Sequence, residues 1–385
     1  MAKKNTKVFY NTEIPIDWEI KRLEDVCSHF KSGFGITSEQ IFESGKYPVY
    51  GGNGLRGFTE TFTHEGVFIL IGRQGALCGN IRRVSDKIYI SEHAIAVQTN
   101  SKNDIDFLAY KLEFKNLNRL SESSAQPGLA VEKLVRLKIE FPPLPEQKAI
   151  AQVLSTWDNA IQKIDQLITQ KELRKKWLMQ ELLTGKKRLK GFEGEWKEVR
   201  IGDVTQNFSR RNKDLIDAKV YSVTNSNGFV LQSDHFEGKV AGDDLSNYKI
   251  IKNNEFAYNP ARINVGSLAY FKEEIGVISS LYVCFKSTKD ILDYYLLQFL
   301  RIDHTKYRIE TLGEGGVRVY LWYELFSKIK IKLPSIKEQT AIAYVLQAAD
   351  KEIGLLKKKS ENRAKEGFDA GIVDGENTSE SGFAE

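Results

Sequence analysis

Apolar side chains at Ile150, Leu154, Trp157, Ile161, Ile164 and Ile168 step by 4, 3, 4, 3 and 4 residues. That is the heptad spacing of a helix that buries one stripe against another helix. Pro142-Pro-Leu-Pro145 precedes the stripe, and proline suits a helix's first turn but not its interior. Glu146 in the first turn complements the helix dipole, and Gly185 sits where a left-handed terminal residue ends a helix. The pattern predicts one helix over residues 146–183, roughly 57 Å long at 1.5 Å per residue. The same stripe returns as Ile342, Leu346, Ala349, Ile353 and Leu356. At a constant offset of 192, Pro142, Glu146, Gln147, Ala149, Ile150, Ala151, Val153, Leu154, Asp158 and Ile161 recur as Pro334, Glu338, Gln339, Ala341, Ile342, Ala343, Val345, Leu346, Asp350 and Ile353. Two matching stripes most simply pack on each other. The plainer alternative, that each helix only covers its own domain's core, would not need about ten turns.

Between the helices the periodicity shortens. Runs at 67–71, 88–90, 94–97, 220–223 and 277–283 read as strands between glycine and asparagine punctuation. Residues 104–116 and 290–300 carry Tyr, Leu or Phe at helical spacing. Each stretch opens alike: Asp17-Trp18 with Leu23, Asp25 and Val26 matches Glu195-Trp196 with Ile201, Asp203 and Val204, at an offset of 178. The fold class predicted is α+β, with an internal repeat of two similar mixed domains. The expected boundaries are 1–140, first domain; 141–190, first long helix; 191–332, second domain; 333–366, second long helix; and 367–385, a polar, acidic tail expected to be disordered.

A chain of 385 residues with 41% hydrophobic content is long enough for two cores. Three scattered cysteines argue against a disulfide framework or zinc site. No apolar run of membrane-spanning or leader type occurs, so a soluble, cytoplasmic chain without membrane attachment is expected. A net charge of +5 permits a polyanionic partner without requiring one. Candidate chemistry is sparse. Asn259-Pro-Ala-Arg262 begins like a DNA-adenine methylation loop but lacks its second proline and aromatic residue. Gly185-Lys186 has no phosphate-loop spacing before it, and the five histidines lack ligand spacing. No catalytic residue, no metal site and no cofactor is therefore expected.

The segment Pro142-Pro-Leu-Pro-Glu-Gln-Lys-Ala-Ile-Ala-Gln-Val-Leu154, continuing to Leu178-Met-Gln-Glu-Leu-Leu-Thr-Gly-Lys186, resembles the central conserved region of specificity subunits of type I restriction–modification enzymes. Leu333-Pro-Ser-Ile-Lys-Glu-Gln-Thr-Ala-Ile-Ala-Tyr-Val-Leu346 resembles their C-terminal conserved region. The resemblance spans nearly the whole chain. It implies two target-recognition domains held apart by an antiparallel helix pair, with each domain reading one half of a split, asymmetric site in double-stranded DNA. It further implies that catalysis belongs to partners: two methyltransferase (M) subunits using S-adenosylmethionine and two motor-nuclease (R) subunits using ATP. A different class, a coiled-coil adaptor that reads no DNA, would show no sequence preference.

Arg, Lys, Asn and Gln read base edges best, and glycines allow close backbone approach. In the first domain the candidates are Asn53, Arg56, Arg73, Gln74, Arg82, Arg83 and Gln126. In the second they are Arg210, Arg211, Asn212, Lys213, Asn225, Asn227, Arg262, Asn264 and Arg318. Individually, such residues also suit ordinary turns. Lys186-Lys-Arg-Leu-Lys190 suits either phosphate neutralisation or a solvated linker.

The second stripe stops near Leu356, whereas the first copy runs on into Leu178-Met-Gln-Glu-Leu-Leu-Thr-Gly-Lys186. Phe368-Asp-Ala-Gly-Ile-Val-Asp-Gly-Glu376, read one nucleotide later, can encode that same nine-residue string. A frameshift between about Lys357 and Arg363 is the hypothesis this suggests, with the helix pair expected to fray beyond the first helix's midpoint. Codons in the gene incompatible with the shifted reading would end it.

Overall fold

The proline-led segments open two long helices, Leu144–Leu183 of 40 residues and Ile336–Gly371 of 36 residues. A computed structural model describes residues 6–10, 12–75, 77–121, 128–235, 244–313 and 320–371, with side chains of the last helix to Arg363. Gly185 ends the first helix with φ +74°, the left-handed conformation that glycine adopts without steric cost.

The helices pair antiparallel, because partners rise in number along one as they fall along the other. Lys175 meets Asp350 at 2.5 Å, Lys171 meets Glu352 at 2.5 Å, and Glu172 meets Lys357 at 2.7 Å. Farther along, the Arg363 guanidinium lies 5.9 Å from the Trp157 ring centroid. Every residue of the two stripes is buried or half-buried, while Val153, Leu173 and Leu355, off the stripe, are exposed. The stripes also serve the domains. Ile150 packs on the first domain's core, and Ile342 and Leu346 are part of the second's. The two alternatives posed by the sequence are thus both realised, at different turns of one stripe.

The chain divides into two compact units, residues 1–163 with 360–385, and residues 164–359. Within each, the same topology is built. In the first, one four-stranded sheet runs Gly54–Thr59, Tyr47–Gly51, Lys87–Ile90, His64–Glu65, and the other runs Cys27–Ser32, Ala94–Thr99, Phe68–Gly72, Ile81–Val84. In the second, Gly228–Leu231, Val220–Thr224, Ile275–Ile278 and Lys249–Lys252 form the counterpart of the first sheet. Thr205–Phe208, Val283–Ser287, Phe256–Tyr258 and Leu268–Tyr270 form the counterpart of the other. A parallel strand pairing repeats as well, Tyr89 beside Val49 and Val220 beside Val277. A two-stranded ribbon joins each domain to its long helix, Glu19–Arg22 with Lys138–Phe141 and Lys197–Arg200 with Lys330–Leu333. Cores lie between sheet and helix: Ile69, Ile71, Ile95, Val97, Phe107 and Phe141 in the first domain, and Phe256, Tyr258, Phe285, Tyr295 and Phe326 in the second.

Three expectations change. The apolar run 277–283 is two strands, Ile275–Ile278 and Val283–Ser287, in different sheets, because Ser279, Ser280 and Leu281 turn the chain between them. A helix at Asp303–Leu312 has no counterpart among the expected elements. The second long helix does not end at 366, nor does the pair fray past the first helix's midpoint, as the proximity of Arg363 to Trp157 shows. Lys, Glu, Arg and Ala over 357–366 are strong helix formers and continue the helix after the apolar stripe ends. The tail from 372 lies outside the described residues.

Candidate nucleic-acid interface

The recurrent residues of the long helices form the joint that positions each domain. Gln147 is buried; its Oε1 accepts from the Asp104 amide at 2.8 Å, and its Nε2 donates to the Pro142 carbonyl at 2.9 Å. Gln339 does the same, accepting from the Leu292 amide at 3.0 Å and donating to the Pro334 and Asp290 carbonyls, each at 3.1 Å. Asp104 and Leu292 are the capping residues of the corresponding domain helices, Ile105–Phe114 and Asp293–Phe299. Each glutamine therefore satisfies a backbone N–H that the helix start leaves unpaired. Asp158 accepts from the Tyr110 hydroxyl and Asp350 from the Tyr294 hydroxyl, both at 2.6 Å, so a tyrosine of the domain helix is tied to each rod. The glutamate beside the glutamine differs in use. Glu146 accepts from the Trp18 indole at 3.3 Å, whereas Glu338 holds Arg188 through Nε at 2.8 Å and Nη2 at 2.6 Å.

Two glycine-bearing turns meet in the first domain. A Cβ on Gly52 would lie 2.6 Å from the His93 carbonyl and 3.4 Å from the Arg73 amide, so only glycine lets the turns touch. Gly54, at φ +112°, lies beneath the Arg82 guanidinium. The Arg73 amide donates to the His93 carbonyl at 3.0 Å, the His93 ring Nδ1 pairs with Gln74 Oε1 at 3.1 Å, and the Leu129 amide donates to the Arg73 carbonyl at 2.9 Å. Asn53, Arg56, Gln74 and Arg82 are exposed on this cluster and Arg73 is half-buried.

The second domain assembles the same three segments from other residues. The hairpin turn 225–227 lies beside Gly266, the Ser267 hydroxyl donates to the Val223 carbonyl at 3.1 Å, and the Leu321 amide donates to the Pro260 carbonyl at 3.0 Å. Asn225, Asn227 and Arg262 are exposed and Asn264 half-buried. Leu129 and Leu321, 192 residues apart, thus bond to the same place in each domain.

A model of the type I restriction modification DNA specificity domain matches residues 15–172 and again 193–365. The chain belongs to this family. Over 159 residues, 40% of this chain, it is 43% identical to the type I restriction enzyme EcoprrI specificity subunit of Escherichia coli, spanning 39% of that relative. Over 93% of its length it is 27% identical to the MjaVIII specificity subunit of Methanocaldococcus jannaschii, spanning 92% of that relative. In fold it is similar to the S subunit of a type I restriction-modification system from M. genitalium, with TM-score 0.62, 17% identity, and 94% and 96% of the two chains covered. A structure described under complex assembly and conformational transition of the type I R-M system gives TM-score 0.54 at 14% identity, covering 94% and 96%.

Four of the candidate readers are committed elsewhere. Arg83 stacks on Tyr110 at 3.9 Å and pairs with Asp106 at 3.4 Å and Glu113 at 3.5 Å. Arg210 is paired with Glu255 at 2.8 Å over the Phe208 ring, and Arg211 donates to the Asn247 carbonyl at 2.7 Å. Asn212 is fully buried and accepts from the Ile216 amide at 2.9 Å. This segment, with the exposed Lys213, bridges to the strand Lys249–Lys252 instead of joining the turn cluster. Gln126 and Arg318 lie outside the described residues. In the basic run 186–190, Arg188 serves structure through Glu338, whose hydrogen bond raises its pKa further, and Lys187 lies 4.5 Å from the Trp177 ring centroid. Sequence reasoning passed over His93, Tyr320 and Trp322, which the turns bring to the clusters.

Burial pushes the Cys27 and Cys284 thiols up to about 12, which disfavours the thiolate form. His29 and His64 face each other at 5.4 Å; burial and then Lys31 hold His29 below the ordinary histidine range, and burial and then His29 do so for His64. Among the described residues no group of three metal-ligating side chains converges, and no helix is long and apolar enough to cross a membrane.

Proposed function

We propose that each domain reads one half of a bipartite, asymmetric DNA site through its turn cluster. The helix pair would set the gap between the halves and dock two methyltransferase subunits, which in turn engage two motor-nuclease subunits. Catalysis would rest with those partners, and this chain would contribute specificity alone. The observation that carries the reading is the construction of one three-segment cluster twice, on the same glutamine joint, from unlike exposed residues. A repeated frame with different tips suits two different half-sites, because identical readers would read a palindrome. Arg73, Arg82 and Arg262 supply the forked donors suited to guanine, and Asn53, Gln74, Asn225 and Asn227 the amides suited to adenine.

The test combines the purified chain with its methyltransferase subunits and a library of DNA duplexes, and maps the methylated adenines. Two short specific blocks around one fixed gap are expected. Methylation without sequence preference, or unchanged when this chain is omitted, overturns the reading in favour of an adaptor.

A further inference from the structure

Among the described residues, the two clusters differ beside Leu129 and Leu321. The first domain places Gly128 and Ala130 around its leucine; the second places Tyr320 and Trp322 around its own. The two rings are stacked, with centroids 6.2 Å apart and planes 13° from parallel, yet Tyr320 is 37% exposed and Trp322 49% exposed. Between them Leu321 is fully buried and bonded to Pro260. The Trp322 carbonyl accepts from the Leu325 and Phe326 amides, and Phe326 is in the core. The backbone is thus fixed and the rings are held outward before any partner arrives.

Large stacked rings left in water favour a partner that covers them. Their exposed area is on the order of 200 Å², far below the ~800 Å² that each side of a stable protein interface buries. The surroundings point to a polyanion: residues 225–227, 259–267 and 320–322 contain Arg262 and no carboxylate. We propose that Tyr320 and Trp322 are a DNA-contacting platform of the second domain, laying their faces on deoxyribose rings and base edges beside the bases that Arg262 and Asn264 reach. This rests on the reading that the domain binds DNA. It adds an aromatic component to affinity in the second half-site, at the place where the first domain carries Gly128 and Ala130.

The test uses the complex assembled with methyltransferase subunits and a duplex carrying its mapped target. Y320A/W322A is expected to weaken binding by roughly tenfold while leaving the dependence of affinity on salt unchanged, since neither ring neutralises a phosphate. R262A is the contrast: removing a forked donor from a guanine edge is expected to relax preference at one base pair of the second half-site, a loss that the ring variant does not produce. Trp322 replaced by the photo-crosslinker p-benzoylphenylalanine is expected to crosslink to DNA, and it probes the site even where the double alanine chain fails to fold. Undiminished affinity in Y320A/W322A overturns the proposal, as does a crosslink to a methyltransferase subunit in place of DNA. Failure of the underlying reading looks different, because the wild-type complex would then show no sequence preference at all.

Discussion

A glutamine amide offers two donors and an acceptor, and Gln147 and Gln339 use both kinds at buried sites. Alanine at either position leaves a capping amide and a carbonyl unpaired, at a cost of about 1–3 kcal/mol for each buried group so stranded. Q147A and Q339A are therefore each expected to lower unfolding free energy by roughly 2–4 kcal/mol in denaturant titrations; a drop below about 0.5 kcal/mol would refute the clamp. The His29–His64 pair gives a pH dependence of defined sign. Both rings have pKa values depressed in the folded state, so the unfolded chain binds more protons and stability falls as pH drops below about 6.5. The melting temperature of H29F is expected to change less between about pH 7.5 and 5.5 than that of the wild type; equal changes would remove the pair from the account. The recurrence of the Glu-Gln dipeptide was legible from spacing alone. Its partners were not, since the amides of Asp104 and Leu292 lie more than forty residues away along the chain and no periodicity records them. Arg83, Arg210 and Asn212 illustrate the same point: a residue type suited to reading bases is equally suited to the ion pairs and buried cap that they form here.

The long helices were the most legible elements, because a heptad stripe bounded by proline and glycine leaves few alternatives. The seam's energetics can be tested at Ile353, which is buried within it. I353A is expected to cost about 2–4 kcal/mol by removing packed methylenes and leaving a cavity, read out by chemical denaturation. L355A, off the stripe and exposed, is expected to change stability by less than about 0.5 kcal/mol; equal costs would contradict the assigned seam. If the rods set the gap, one heptad added to each lengthens the spacer by ~10.5 Å, or about three base pairs at 3.4 Å, with both recognised blocks unchanged. An unaltered gap would take the ruler role away from the helices. Strands were less legible. The run 277–283 is apolar at both ends, and hydrophobicity gives no sign of the turn that sends its two parts into different sheets. The second helix's end was misjudged because an apolar stripe marks where a helix is buried, not where it stops.

For the molecule as a whole, the duplicated frame could be read from ten identities at one offset, and the family followed from the same residues. The turn clusters could be read only in part: Gly51-Gly-Asn-Gly54, Gly72-Arg-Gln-Gly75 and 225–227 were visible as loops, whereas their convergence depends on sheets whose pairing is not written in any single segment. Tyr320 and Trp322 escaped notice because aromatic residues near a helix start ordinarily belong to a core. The central claim is that one chain carries two independent readers on a repeated rod. Exchanging residues 191–332 for the corresponding domain of another family member, then mapping methylated adenines with the chain's own methyltransferase subunits, tests it most directly. The account predicts that one sequence block changes while the other block and the gap stay as they were. Simultaneous change of both blocks, or of neither, would contradict it.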